Sequence, residues 1–305
     1  MQPSIVDSHV HVWAHDQTLA RPAPSASPLH QGNSDIEALQ ATMQAESVSG
    51  AVLVQYIGYL WDNSYVAKAI KARPDMFVGV CRVNTEDRNA PDHLRNLVET
   101  CGFQGVRIGP MTGAMQNWLS GDHVDPLFAC ATELAVPVVV LANSAHLEDL
   151  IKALDRHPDL NIVIDHLADC DAKNPEHRRL LEILAANSRV QLKTGHIWAT
   201  SQQGYPWRDK QAEIKLACDV FGASRVMWGS DWSFNLAHGT YRQAATYLHK
   251  IADFLTSAEI DMVMGGNARR LWHFAQPIVA HQTIPPHQSS LSPPAADPRR
   301  APKVK

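Results

Sequence analysis

Apolar residues in this chain fall in short runs, and amphipathic stretches of helical period lie between them almost to the end. The first run is Ser4-Ile5-Val6-Asp7-Ser8-His9-Val10-His11-Val12-Trp13. Ala51-Val52-Leu53-Val54-Gln55-Tyr56, Phe77-Val78-Gly79-Val80-Cys81-Arg82-Val83 and Gly105-Val106-Arg107-Ile108 follow. The second half adds Pro137-Val138-Val139-Val140-Leu141-Ala142, Asn161-Ile162-Val163-Ile164-Asp165-His166, Val190-Gln191-Leu192-Lys193 and Arg225-Val226-Met227-Trp228-Gly229-Ser230-Asp231. Short continuous apolar runs suit parallel strands covered on both faces, because such strands have no side turned to water.

Helices are expected over 36–49, 62–73, 91–101, 123–135, 145–157, 176–187, 208–221, 239–254 and 257–274. The first opens on a capping box at Ser34-Asp35-Ile36-Glu37 and the last on Thr256-Ser257-Ala258-Glu259. Eight strand-like runs alternating with helices call for a closed parallel (β/α)8 TIM barrel. An open doubly wound sheet is the rival, but no G-x-G-x-x-G follows the first strand and no phosphate loop occurs. One barrel domain over 1–274 is therefore expected. Residues 275–305, rich in Pro, Gln and Ser with a basic end, read as a disordered tail. Residues 14–34 show no periodicity and read as a long loop shaping the mouth of a pocket.

Composition narrows the class. A length of 305 residues with 45% hydrophobic residues supports a large core, and a net charge of −4 argues against nucleic acid or an anionic membrane as partner. The five cysteines are scattered, with no C-x-x-C, which suggests reduced thiols in a cytoplasmic protein. No apolar run reaches the roughly 20 residues of a membrane helix, and no signal peptide is evident. A small-molecule substrate is the expected partner, and assembly into homo-oligomers stays open.

In such a barrel the site is built at the C-terminal ends of the strands. The first run ends with His9 and His11, two residues apart and so on one face of the strand. The fourth carries Arg107, the fifth leads to Asn143, and the sixth ends at His166. The seventh carries Lys193 and precedes His196, and the eighth ends at Asp231. Taken singly, His166 reads as a hydrogen-bonded structural histidine and Asp231 as a turn or cap residue. Arg107 and Lys193 in apolar strands need a partner or a ligand. Gly265-Gly266-Asn267 reads as a turn before the final helix.

The H-x-H strand, Asp165-His166-Leu167-Ala168, Arg225-Val226-Met227-Trp228-Gly229-Ser230-Asp231-Trp232 and Gly265-Gly266-Asn267-Ala268-Arg269-Arg270 together resemble the amidohydrolase superfamily. More narrowly they are similar to its lactonase-like branch, which includes sugar-lactone lactonases and 2-pyrone-4,6-dicarboxylate lactonase. The resemblance runs over about residues 4–274 and implies a hydrolase that opens a small lactone. Asp231 would be the general base for the attacking water, with His9, His11 and His166 holding the water or polarising the carbonyl.

Zinc-dependent members usually add a histidine at the end of strand five, and binuclear ones a bridging Lys or Glu on strand four. Here those positions read Leu141-Ala142-Asn143, with His146 only later, and Arg107. Metal-independent hydrolysis is the favoured expectation. One divalent ion, zinc or manganese, on His9, His11 and Asp231 is the alternative. Arg107 suits a carboxylate, and Lys193 could assist it. Asn143, His196, Trp232 and Asn235 suit the hydroxyls of a sugar lactone, which is preferred to a dicarboxylate lactone. A zinc-dependent amidohydrolase or decarboxylase acting on an aromatic acid, and a barrel that binds without catalysing, are the other readings.

Overall fold

The computed structural model describes residues 5–14, 34–110 and 118–276. Its strands are β1 (Ile5–Val10), β2 (Val48–Val54), β3 (Phe77–Val80), β4 (Val106–Ile108), β5 (Val138–Val140), β6 (Ile162–Ile164), β7 (Val190–Lys193) and β8 (Val226–Met227). Parallel ladders join β1-β2-β3 and, separately, β4 through β8 in sequence order. Two bridges, Cys81 with Val106 and Val10 with Trp232, join these sheets at both edges and close the (β/α)8 barrel. Arg107 N–H donates to Cys81 O at 2.7 Å and Ser8 N–H to Trp228 O at 3.1 Å across the same seams. Closure removes the exposed strand edges that an open sheet would carry.

Alternation along the strands divides the core in two. Val6, Val52, Val54, Val78, Val80, Val139, Val163 and Met227 fill the barrel interior, together with Ala268 and Trp272. Their neighbours, among them Leu53, Phe77, Val138, Ile162 and Val226, face outward and pack against the helices. Register then decides where the strand charges go. Arg107 pairs with Val139, and Lys193 with Met227. Both cations therefore point inward, toward the C-terminal mouth above the valine plug. The β1–β2 register is irregular between Asp7 and Val10, which re-aims the end of β1.

Several boundaries differ from those expected of the sequence. β2 begins at Val48, with Gly50 inside it, at a point where the Phe274 ring fills the space of a side chain: a Cβ at Gly50 would sit 3.0 Å from it. Asp35, not Ser34, caps the first helix, accepting from Ala38 N–H. The expected helix 239–254 is two shorter ones, Tyr241–Thr246 and Leu248–Ile251. The expected helix 257–274 runs as Ser257–Asp261, a π-helical turn Met262–Gly266, and Asn267–Leu271. Gly265 and Gly266 thus lie within a helical segment, where a turn had been expected. Asn267 Nδ2 reaches Ala223 O and Val226 O, both at 2.7 Å, and ties this segment to β8. Most of the expected 14–34 loop and the tail from 277 lie outside the described residues. No described helix is long and apolar enough to cross a membrane.

Candidate active site

His9 and His11 stand at the tip of β1, both buried. His9 Nδ1 lies 3.1 Å from Asp165 Oδ1, and His11 Nδ1 lies 2.8 Å from Val54 O. Val54 O only accepts, so His11 carries its proton on Nδ1 and leaves Nε2 bare. His9 Nδ1 faces both Asp165 Oδ1 and, at 3.3 Å, Lys193 Nζ. When it donates along the shorter contact to Asp165, its Nε2 is bare as well. The two bare atoms are 3.1 Å apart. Asp231 Oδ1 adds a third acceptor, 3.4 Å from His11 Nε2 and 3.7 Å from His9 Nε2. Burial pushes the His11 pKa down to about 4 and that of His9 well below its ordinary value, so both rings are neutral near pH 7.

Asp231 reaches this point through the loop after β8. A Cβ on Gly229 would come 2.8 Å from His9 Cβ, so only glycine lets the loop approach β1 this closely. Asp231 itself takes a left-handed φ of 56°, and its N–H donates to His9 O at 2.9 Å. Its second oxygen, Oδ2, accepts from His196 Nδ1 at 3.0 Å. Burial opposes protonation of His196, but its bond to Asp231 and the charges of Asp231 and Asp169 outweigh that, and its pKa is raised.

Asp165, just beyond β6, is the electrostatic hub, and sequence reasoning gave it no role. Arg107 Nε donates to its Oδ2 at 2.9 Å, and Lys193 Nζ lies 3.3 Å from its Oδ1. Burial alone would raise its pKa, but Lys193, His9 and Arg107 together hold the carboxyl well below the usual range. Lys193 also lies over the Trp272 ring at 5.4 Å. Arg82, at the end of β3, is a further buried cation close enough to Arg107 that, after burial, their repulsion lowers its pKa, to about 9. Its signal, a charge inside an apolar run, was the one that singled out Arg107.

His166 follows Asp165 at the start of a left-handed turn: φ is 56°, 54°, 52° and 48° from His166 to Asp169. Left-handed backbone costs roughly 1–2 kcal/mol for each such residue. The turn brings the His166 ring within 4.9 Å of the His9 ring and 4.8 Å of the His196 ring, between centroids. Burial lowers the His166 pKa to about 3, so the ring is neutral near pH 7.

The other sequence candidates are placed differently. Asn143 is exposed at the end of β5, and its Oδ1 caps the next turn by accepting from Ala145 N–H. No hydrogen bond joins it to the histidine cluster among the described residues. Trp232 and Asn235 are buried beneath the Asp231 loop, and Asn235 N–H braces it by donating to Asp231 O at 3.2 Å. The flank formed by β8, β1 and β2 is aromatic instead. Phe234, half-buried, lies 5.4 Å from the His11 ring, and Trp13 and Tyr56 pack behind it at 5.7 and 6.1 Å. A cavity of about 470 Å³ opens beside His166 and His196 and runs toward Lys210 and Glu213.

A family model described as amidohydrolase matches residues 6–274, from the start of β1 to the residues after the last helix. The chain belongs to the amidohydrolase family. Among relatives of this amidohydrolase, an L-fucono-1,5-lactonase of Burkholderia ambifaria is 25% identical, covering 89% of this chain and 96% of the relative. Among solved structures, a putative 2-pyrone-4,6-dicarboxylic acid hydrolase from Pseudomonas putida superposes with a TM-score of 0.74 at 24% identity, over 90% of this chain and 99% of that one. An amidohydrolase from Burkholderia multivorans with bound zinc gives a TM-score of 0.74 at 20% identity, over 89% and 100% of the two chains.

The amidohydrolase's own donor set fits a divalent cation. His9, His11 and Asp231 each offer one ligand atom, all within 4.8 Å of one another. Two further sets, His9-Asp165-His166 and His166-His196-Asp231, overlap it. In the second His9 Nδ1 is already bonded to Asp165, and in the third Asp231 Oδ2 is bonded to His196. Only the first set presents lone pairs that face one another with no proton between them. Nitrogen and carboxylate donors of this kind are what zinc and its neighbours in the first transition row accept.

Proposed function

We propose that this amidohydrolase opens a small lactone, preferably of sugar type, by general-base attack of water, with one divalent cation held by His9, His11 and Asp231. This replaces the expectation of metal-independent hydrolysis. The observation that carries it is the convergence of two bare imidazole nitrogens on a carboxylate whose other oxygen is already held by His196. A cation bound there would supply Lewis acidity and lower the pKa of a water.

The chain's own groups account for the rest. Asp231 takes a proton from water as the new C–O bond forms at the carbonyl carbon. The ring C–O bond then breaks, the ring oxygen takes up that proton, and a hydroxy acid results. His196 holds Asp231 through Oδ2, which leaves Oδ1 toward His9 and His11, where the cation and the reacting water would both lie. Neutral His166 offers one N–H to the developing oxyanion. Arg107 donates Nε to Asp165, and its other two nitrogens have no partner among the described residues. That leaves a fork for an oxyanion or for the carboxylate of the product. The aromatic flank at Phe234 suits the apolar face of a sugar ring, and the name of the curated relatives supports the same substrate class.

Acid release followed with a pH indicator tests this, using sugar and dicarboxylate lactones and protein stripped by chelator, then reloaded with zinc or manganese. Turnover of a sugar lactone only after reloading is the expected result. Turnover undiminished in stripped protein returns the reaction to metal-independent attack. Inactivity on every lactone, with or without metal, overturns the proposal and turns attention to decarboxylation of aromatic acids.

A further inference from the structure

Asp7 lies two residues before His9, fully buried, and takes no part in the proposed chemistry. Its carboxylate is nevertheless bonded at three points. Oδ1 accepts from His9 N–H at 3.1 Å and from Ser230 N–H at 2.9 Å. Oδ2 accepts from the Tyr241 hydroxyl at 3.0 Å, on the helix Tyr241–Thr246. On the other side of His9 its carbonyl accepts from Asp231 N–H at 2.9 Å. Both backbone groups of His9 are therefore tied to consecutive residues of the β8 loop, one directly and one through the Asp7 carboxylate.

This matters because the other backbone bonds between those elements lie on either side of His9, at Ser8 and His11. β8 has only two residues, Val226 and Met227, and it and its loop meet β1 through Ser8 N–H to Trp228 O, His11 N–H to Trp232 O and one isolated bridge from Val10 to Trp232. β1 is itself irregular between Asp7 and Val10. At His9 itself the carboxylate bridge and the Asp231 N–H together do what a regular ladder would do. We infer that Asp7, held by Tyr241, is a positioning residue that sets His9 against Asp231 and thereby the affinity of the site for a divalent cation. The inference rests on the metal reading above but not on lactone turnover.

Zinc affinity of the purified full chain, measured by competition with a chromophoric chelator, tests it alongside kcat, KM and thermal melting. Asp7→Asn keeps an oxygen for both N–H groups and a donor toward the Tyr241 hydroxyl, so its zinc affinity stays near that of the unaltered protein. Asp7→Ser loses the bridge, and its zinc affinity falls about 10–100-fold, the range typical of groups that orient a metal's ligands. Tyr241→Phe removes one bond and keeps the ring, and it decides the matter if Asp7→Ser does not fold: a measurable loss of zinc affinity supports the inference. Zinc affinity unchanged in the folded variants, with only the melting temperature lowered, overturns it. An unaltered protein that binds no zinc overturns both the metal reading and this inference, whereas zinc binding without lactone turnover overturns the substrate reading alone.

Discussion

His9 and His11 turn their Nε2 atoms to each other at 3.1 Å, and with both rings protonated on Nδ1 neither atom carries a proton. Two lone pairs at hydrogen-bond distance repel unless a positive charge lies between them or beside them, and Asp231 Oδ1 adds to the repulsion. Chelator-stripped protein should therefore melt at a lower temperature than protein given zinc. Free zinc at 100 times its Kd adds about 2.7 kcal/mol of stability by mass action. A scan in which zinc leaves the melting temperature unmoved would remove the cation from this site.

Asp231→Asn keeps the shape of the side chain and an oxygen for His196 but loses the base. Loss of a general base typically costs 10²–10⁴-fold in rate, so kcat should fall by about that factor while the urea midpoint changes little. A variant that turns over normally would show that Asp231 does not take the proton.

The barrel and most of the candidate site were legible because they depend on repetition. Eight apolar runs forced a parallel barrel, and the barrel rule alone gathered His9, His11, His166, His196 and Asp231 from distant positions. What depended on side-chain partners was less visible. Asn143 carries a residue type that suits both a sugar hydroxyl and a helix cap, and the cap won. Asp165 and Arg82 stood in the quoted runs, but a carboxylate that binds Arg107, Lys193 and His9 together becomes evident only once four strands are gathered in one barrel. The left-handed turn at 166–169 uses Leu and Ala where glycine would be expected, so no local signal marks it. The π-helical turn at Met262–Gly266 keeps the amphipathic pattern of an unbroken helix and is hidden for that reason.

Asp165 should be worth more to stability than any residue that contacts substrate. Asp165→Asn leaves Arg107 and Lys193 buried beside each other with their shared counter-charge removed. Breaking a buried ion pair from one side costs about 3–5 kcal/mol. Urea unfolding should show a loss of that order, partly recovered when Lys193→Met is added. Equal losses in the single and double variants would mean that Lys193 does not depend on Asp165.

Acidification should destabilise the stripped protein between about pH 6 and pH 4. His9, His11 and His166 are held neutral when folded, the last two down to about 4 and 3, but take up protons below 6.5 once unfolded. Two groups work the other way. Burial raises Asp7 to about 6, and His196 is raised, so the folded state holds those protons. Three against two, with His196 also protonated in the unfolded chain near pH 5, leaves the unfolded state with more protons and a stability that falls with pH. Each net proton is worth about 1.4 kcal/mol per pH unit. Urea midpoints across this range should fall on acidification, and His166→Gln should flatten the slope by about one proton. A slope of opposite sign would mean that the histidines are not neutral in the folded protein.

Phe234 separates the sugar-lactone reading from its dicarboxylate rival. It is the half-buried member of the aromatic flank, beside the His11 ring, while Arg107 and Lys193 converge on Asp165. A ring that stacks on Phe234 while its carbonyl meets the histidines loses binding when that surface is cut back. Phe234→Ala should raise KM for a sugar lactone about tenfold, the equivalent of roughly 1.4 kcal/mol, and leave kcat within a few-fold. Arg107→Met should act chiefly on substrates that carry a carboxylate of their own. The two variants measured on both lactone classes give a crossed pattern if the flanks divide the work in this way. If Phe234→Ala slows both classes equally through kcat, the aromatic flank supports His11 and does not select the substrate.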